Sequence, residues 1–154
     1  NRILMATQEK IISLLDQAVK MHQANRLKEA ENLYKKVLTL SPRQYDALNL
    51  LGVLAHQGGN NDQAIDLFDQ AIAASPNLAS AHFNKGNVLY GDKQLEESVN
   101  CYKTALTYDP QSQDALLNLG VILQEQEKNN VNDKIHLQKT IETLRSELEN
   151  KNAK

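Results

Sequence analysis

Four histidines and a single cysteine are the side chains best suited to chemistry, and their spacing limits what they can do. His22 and His56 stand 34 residues apart, with no cysteine or carboxylate cluster beside them to complete a metal shell. Their occurrence at equivalent places in a repeat explains the pair better than a metal does. His82 and His136 stand alone and read as structural or solvated positions. Cys101, next to Tyr102, reads as a partly buried and inert thiol. Gly58-Gly59 lacks the Lys-Ser/Thr that follows a phosphate loop, so it reads as a turn. No Gly-x-Ser-x-Gly, His-Glu-x-x-His or paired-cysteine motif occurs in the chain. Glu142, Glu147 and Glu149 alternate with lysine and arginine, which describes a solvated helix face. These residues propose no catalytic group, no metal set and no cofactor, so function has to lie in a surface.

The bulk chemistry narrows which surface. With 154 residues the chain is long enough to bury a core, and its formal charge of -2 is mixed along its length. No basic stripe invites nucleic acid, and no basic amphipathic stretch suggests a membrane partner. Nor does any apolar run approach the roughly 20 residues that span a bilayer. The first residues lack the long apolar core of a signal peptide, and Met5-Ala6-Thr7 reads like a natural start. One cysteine excludes an internal disulfide framework and fits a reducing compartment, giving a cytoplasmic expectation.

The elements that position these residues are written in a repeat. Pro42, Pro76 and Pro110 fall at a fixed interval of 34 residues, which is the period of a helical hairpin. In register, a small residue recurs at Ala18, Gly52, Gly86 and Gly120, with an apolar residue three later at Met21, Ala55, Leu89 and Leu123. A second small residue recurs at Ala30, Ala64 and Ser98, followed four later by Tyr34, Phe68 and Tyr102. Both halves carry apolar residues at i, i+3, i+4 and i+7, the mark of one helical face. The small residues let two helices cross closely, and the aromatic is expected to fill the groove of the next hairpin. Proline closes each unit and forces Ser41, Ser75 and Asp109 out of helix. Turn signals lie between the halves at Asn25, Gly58 to Asn61, and Gly91-Asp92. This spacing predicts helices over about 8–23, 27–40, 44–57, 62–74, 78–90, 95–108 and 112–127.

The recurring pattern resembles the tetratricopeptide repeat family. The second unit matches it at Leu48, Leu51, Gly52, Ala55, Ala64, Phe68 and Pro76, and the third at His82, Lys85, Gly86, Leu89, Ser98, Tyr102 and Pro110. The first is looser, with Leu14, Gln17, Ala18 and Met21 ahead of Ala30, Tyr34 and Pro42. The resemblance implies an all-α, right-handed superhelical solenoid of helix-turn-helix hairpins. Its organisation would be an extension (1–10), three repeats (11–44, 45–78, 79–112), the first helix of a degenerate fourth (113–130) and a divergent charged helix (131–154). In the fourth unit the small residue falls on Asn132 and the aromatic on His136; a two-residue shift puts Lys134 and Gln138 there instead. Leu137, Ile141, Leu144 and Leu148 still form an apolar line, either a cap on the last hairpin or a short coiled-coil seam that joins copies of the chain.

In this family the first helix of each hairpin lines a concave groove. The resemblance places Asn49, Phe83, Asn84, Asn87, Tyr90, Leu117, Asn118 and Val121 there as a peptide-binding face. Carboxamides suit an extended peptide because each can donate and accept at once. Asn84 and Asn118 match the asparagine ladder of O-linked N-acetylglucosamine transferases, although Asp16 and Leu50 break it. The cationic clamp that other members use on C-terminal carboxylates is missing, since Leu15, Val19, Ser80 and Asn84 occupy such helices. The expected function is a non-catalytic scaffold that binds a protein or peptide segment. Alternatives are the substrate-recognition array of a larger glycosyltransferase, sulfotransferase or methyltransferase, and an array that self-assembles.

Overall fold

The computed structural model describes residues 1–128 and 131–153, apart from the side chains of 131–134. The register expectations at Asn132 and Lys134, and the boundary expected at residue 130, lie outside what is described. Among the described residues there are eight helices and no strand. They are α1 (Arg2–Gln23), α2 (Leu27–Leu40), α3 (Tyr45–Gln57), α4 (Asn61–Ala74), α5 (Ala79–Gly91), α6 (Leu95–Tyr108), α7 (Gln113–Glu127) and α8 (Val131–Asn152). The boundaries follow the periodicity closely except at the start. There α1 begins at Arg2, capped by the Asn1 side chain accepting from the Ile3 amide at 3.0 Å. No described helix is long and apolar enough to cross a membrane.

The repeat is enforced at both ends of each hairpin by backbone chemistry. Asn25, Gly59 and Lys93, one period apart, all adopt left-handed conformations with φ of 60°, 81° and 61°. The residues after them, Arg26, Asn60 and Gln94, donate to the carbonyls of Met21, Ala55 and Leu89 at 2.8, 2.8 and 2.9 Å. That is the Schellman arrangement, which satisfies the last carbonyls of the first helix while reversing the chain. At the other end Ser41, Ser75 and Asp109 leave helix with φ of -144°, -143° and -131°, as the following prolines demand. Each still donates its amide at 2.8 Å to Val37, Ala71 or Ala105.

The chain divides into two compact units, Asn1–Pro76 and the residues from Asn77 onward. In the first unit α1 packs on α2 and α3 on α4, with α2 against α3. Its buried residues include Ala18, Tyr34, Leu51 and Phe68. In the second unit α5 packs on α6, α6 on α7 and α7 on α8. Its core is Val99, Tyr102, Leu106, Ala115, Leu119, Ile122 and Leu123, and the α8 residues Leu137, Ile141 and Leu144 pack against it. Leu148, at the end of the same line, is 7% exposed.

The aromatics of the second and third repeats lie over the small residue of their own hairpin, and Tyr102 also shares a core with Ala115, Leu119, Ile122 and Leu123 of α7 in the next. A methyl group built on Gly52 would sit 2.6 Å from Phe68 Cε1, and one on Gly86 would sit 2.9 Å from Tyr102 Cε1. Only a bare backbone allows so close a crossing. Gly120, the fourth position of the series, has nothing among the described residues within 4 Å of the same point.

Candidate functional site

Seven of the eight groove positions fall in the second unit, on α5 and α7, whereas Asn49 belongs to α3 in the first. Asn49 is only 5% exposed, so it is a packing residue of that unit and offers little to a ligand. Phe83 is half-buried, its ring 5.7 Å from that of Tyr102, and it packs against the core. Leu117 and Val121 are the open members, 67% and 40% exposed, one turn apart on α7.

Between them lies a polar network that ties α5, α6 and α7 together. Tyr102 is fully buried, and its hydroxyl donates to Asn87 Oδ1 at 2.5 Å. Asn118 Nδ2 donates to the same Asn87 oxygen at 3.0 Å and lies 3.5 Å from the Tyr102 hydroxyl. Ser98, the small residue of α6, donates to the Gly86 carbonyl at 2.8 Å and fixes the crossing from beneath. Burial pushes the Tyr102 phenol above its ordinary range, the hydrogen bonds from Asn118 and Ser98 opposing it, so the neutral donor persists through physiological pH. At one edge Tyr90 donates to Glu125 at 2.9 Å, and that bond to a carboxylate is the main cause of its own raised pKa.

These bonds engage Asn87 through its oxygen and Asn118 through its nitrogen. The Asn87 nitrogen and the Asn118 oxygen take no part in these bonds and are a donor on α5 and an acceptor on α7. Asn84 stands one turn before Asn87 on α5 and is half-buried. Asn118, one member of the expected ladder, thus pairs with Asn87, one turn on from Asn84. Sequence reasoning placed Asn87 on the face but missed that Tyr102 would anchor it; the period assigns positions and not hydrogen-bond partners.

Three of the four histidines find local partners. His22 Nδ1 and Tyr34 Oη are 3.3 Å apart, His22 Nε2 and Gln57 Oε1 are 3.1 Å apart, and His56 Nδ1 meets Asn61 Oδ1 at 3.0 Å. His82 lies against Tyr108, ring centroids 5.7 Å apart. Among the described residues no three metal-ligating side chains cluster. The α5–α7 face combines hydrogen-bonded carboxamides with the exposed apolar side chains of Leu117 and Val121.

Comparison with known proteins places this geometry in a wider setting. A model described as tetratricopeptide repeat matches residues 22–79, and one described as TPR repeat matches residues 86–127. No curated protein matches the chain. Among solved structures, the chain is similar to a mutant O-GlcNAc transferase of Thermobaculum terrenum at 32% identity and a TM-score of 0.73. That match covers 76% of this chain but 22% of the transferase, so the chain spans about a fifth of that relative's length. The first TPR of Spaghetti (RPAP3), solved with an HSP90 peptide, is 20% identical at a TM-score of 0.71, covering 76% of this chain and 93% of that one. MamA is 18% identical at a TM-score of 0.77, covering 99% and 86%. The last two likenesses establish the fold alone.

Proposed function

The chain belongs, over residues 22–79 and 86–127, to the tetratricopeptide repeat family, and we propose that its second unit binds an extended peptide across α5 and α7. The repeats form a helical interaction scaffold. The observation that carries the peptide reading is the Asn87–Asn118 pair, pinned by Tyr102 within hydrogen-bonding distance of both. An extended peptide presents an amide N–H and a carbonyl from one stretch of backbone, and the pair offers the matching acceptor and donor. Because the pair is already fixed by a buried phenol, a partner spends little side-chain entropy in using it. Leu117 and Val121 flank the pair with apolar surface that a side chain of the partner can cover.

The RPAP3 neighbour supports peptide binding on this fold, and its ligand is an HSP90 peptide. This chain has Leu15, Val19, Ser80 and Asn84 in place of the cationic clamp, so its partner is a different class of segment. Selection of peptides against the full chain tests the reading. Leu117→Asp combined with Val121→Asp places charge on exposed positions, so the fold should hold and binding of the selected peptides should be lost. Binding that survives in the folded double variant would sink the proposal.

The 32% identity with the transferase favours a second reading, that of a substrate-recognition array within a larger enzyme. The two readings share one face and differ only in what is attached to it. For residues 131–152, the contact of Leu137, Ile141 and Leu144 with the second unit's core supports the capping role over the coiled-coil seam.

A further inference from the structure

The glycine series that closes the helix crossings is filled in two hairpins and open in the last. Phe68 lies over Gly52 and Tyr102 over Gly86, yet among the described residues Gly120 has no neighbour within 4 Å of its Cβ position. The repeat broke where an aromatic was due: His136 stands there and is exposed, while α8 docks through Leu137, Ile141 and Leu144 instead. What remains is an open pocket of about 270 Å³ between α7 and α8, lined by Leu116, Leu117, Gly120, Val121, Ile141 and Arg145 among others. A volume of about 150 Å³ is enough to admit a benzene ring in an apolar protein cavity. Among the described residues Arg145 makes no ion pair, and it is the one charged side chain on the lining.

We infer that this pocket receives an aromatic side chain from an acidic partner peptide, in place of the ring that the hairpin itself lacks. The inference rests on the peptide-binding reading above, because Leu117 and Val121 belong to both surfaces. The aromatic specificity comes from the fold's own precedent: this backbone position holds a ring twice elsewhere in the chain. The acidic character comes from Arg145, whose guanidinium can pair with a carboxylate at the mouth of the pocket.

The test uses the full chain with amide chemical-shift mapping and the blocked pentapeptide acetyl-Asp-Gly-Phe-Gly-Asp-amide. It should perturb Gly120, Leu117 and Ile141, and replacing its Phe by Ala should abolish the effect. Gly120→Leu fills the pocket from within and should lose the peptide while retaining the melting temperature. Arg145→Glu should lose the preference for Asp over Lys in the same peptide. Equal perturbation by the Phe and Ala peptides overturns the inference, as does binding that persists in folded Gly120→Leu. Should Gly120→Leu fail to fold, the peptide comparison and Arg145→Glu decide between the same two results. Concentration-dependent shifts at these amides without peptide would seat a second copy of the chain there and overturn it as well. A selected peptide lost on Leu117→Asp with Val121→Asp but retained by Gly120→Leu leaves the groove reading standing and removes only the pocket. Loss of neither removes both.

Discussion

The glycine positions make the sharpest residue-scale contrast in the molecule. Gly52 and Gly86 each face an aromatic ring closer than a methyl group tolerates, while among the described residues nothing stands within 4 Å of the same point on Gly120. Gly52→Ala and Gly86→Ala should therefore destabilise by about 1–3 kcal/mol, since the ring must leave its seat. Gly120→Ala should instead stabilise by up to about 1 kcal/mol, gaining helix propensity without a clash. Thermal melts of the three variants check the sign at each site. Tyr34 gives a second residue-scale outcome. Burial raises its phenol to about 12 from the ordinary 10, so its contribution to stability is complete below pH 10 and lost as pH climbs through about 12. Alkaline titration should show late tyrosine ionisation whose step near pH 12 is lost in Tyr34→Phe, and ionisation of every tyrosine near pH 10 would contradict it. The sequence announced the small residues and the aromatics by their period. It did not say that Phe68 and Tyr102 would also cover the glycine of their own hairpin, because a ring's direction depends on the rotamer and crossing angle that only packing selects.

At the scale of elements, periodicity located the helices and prolines located their ends, since both signals act on the local backbone. Lys93 escaped notice for an instructive reason. Asn25 and Gly59 are residues that favour left-handed backbone, and Lys93 is not, yet the hairpin geometry imposes the same conformation on it. Counting one period on from Gly59 would have found it. The divergent helix α8 is the element with the most at stake. Its apolar line covers Leu119, Ile122 and Leu123, which are at most 1% exposed, so removing 131–154 should uncover them. The truncated chain should melt lower and bind a hydrophobic dye; an unchanged melt would show that α8 contributes nothing to the second unit. A single Leu148→Ala, at a site 7% exposed, should cost about 2 kcal/mol or more.

For the whole molecule, the pattern of repeats says what kind of protein this is, and the break in that pattern says where it is individual. The groove positions form a set in the sequence because they recur at one place in each first helix. Their division was not: Asn49 turns out buried in one unit, and the Asn87–Asn118 pair in the other depends on a tyrosine from a different helix. Mapping a selected peptide onto the full chain by amide chemical shifts tests the central claim most directly. The largest shifts should fall on Asn87, Leu117, Asn118 and Val121. Shifts confined to other surfaces of the chain, with these four unmoved, would contradict a binding face on α5 and α7.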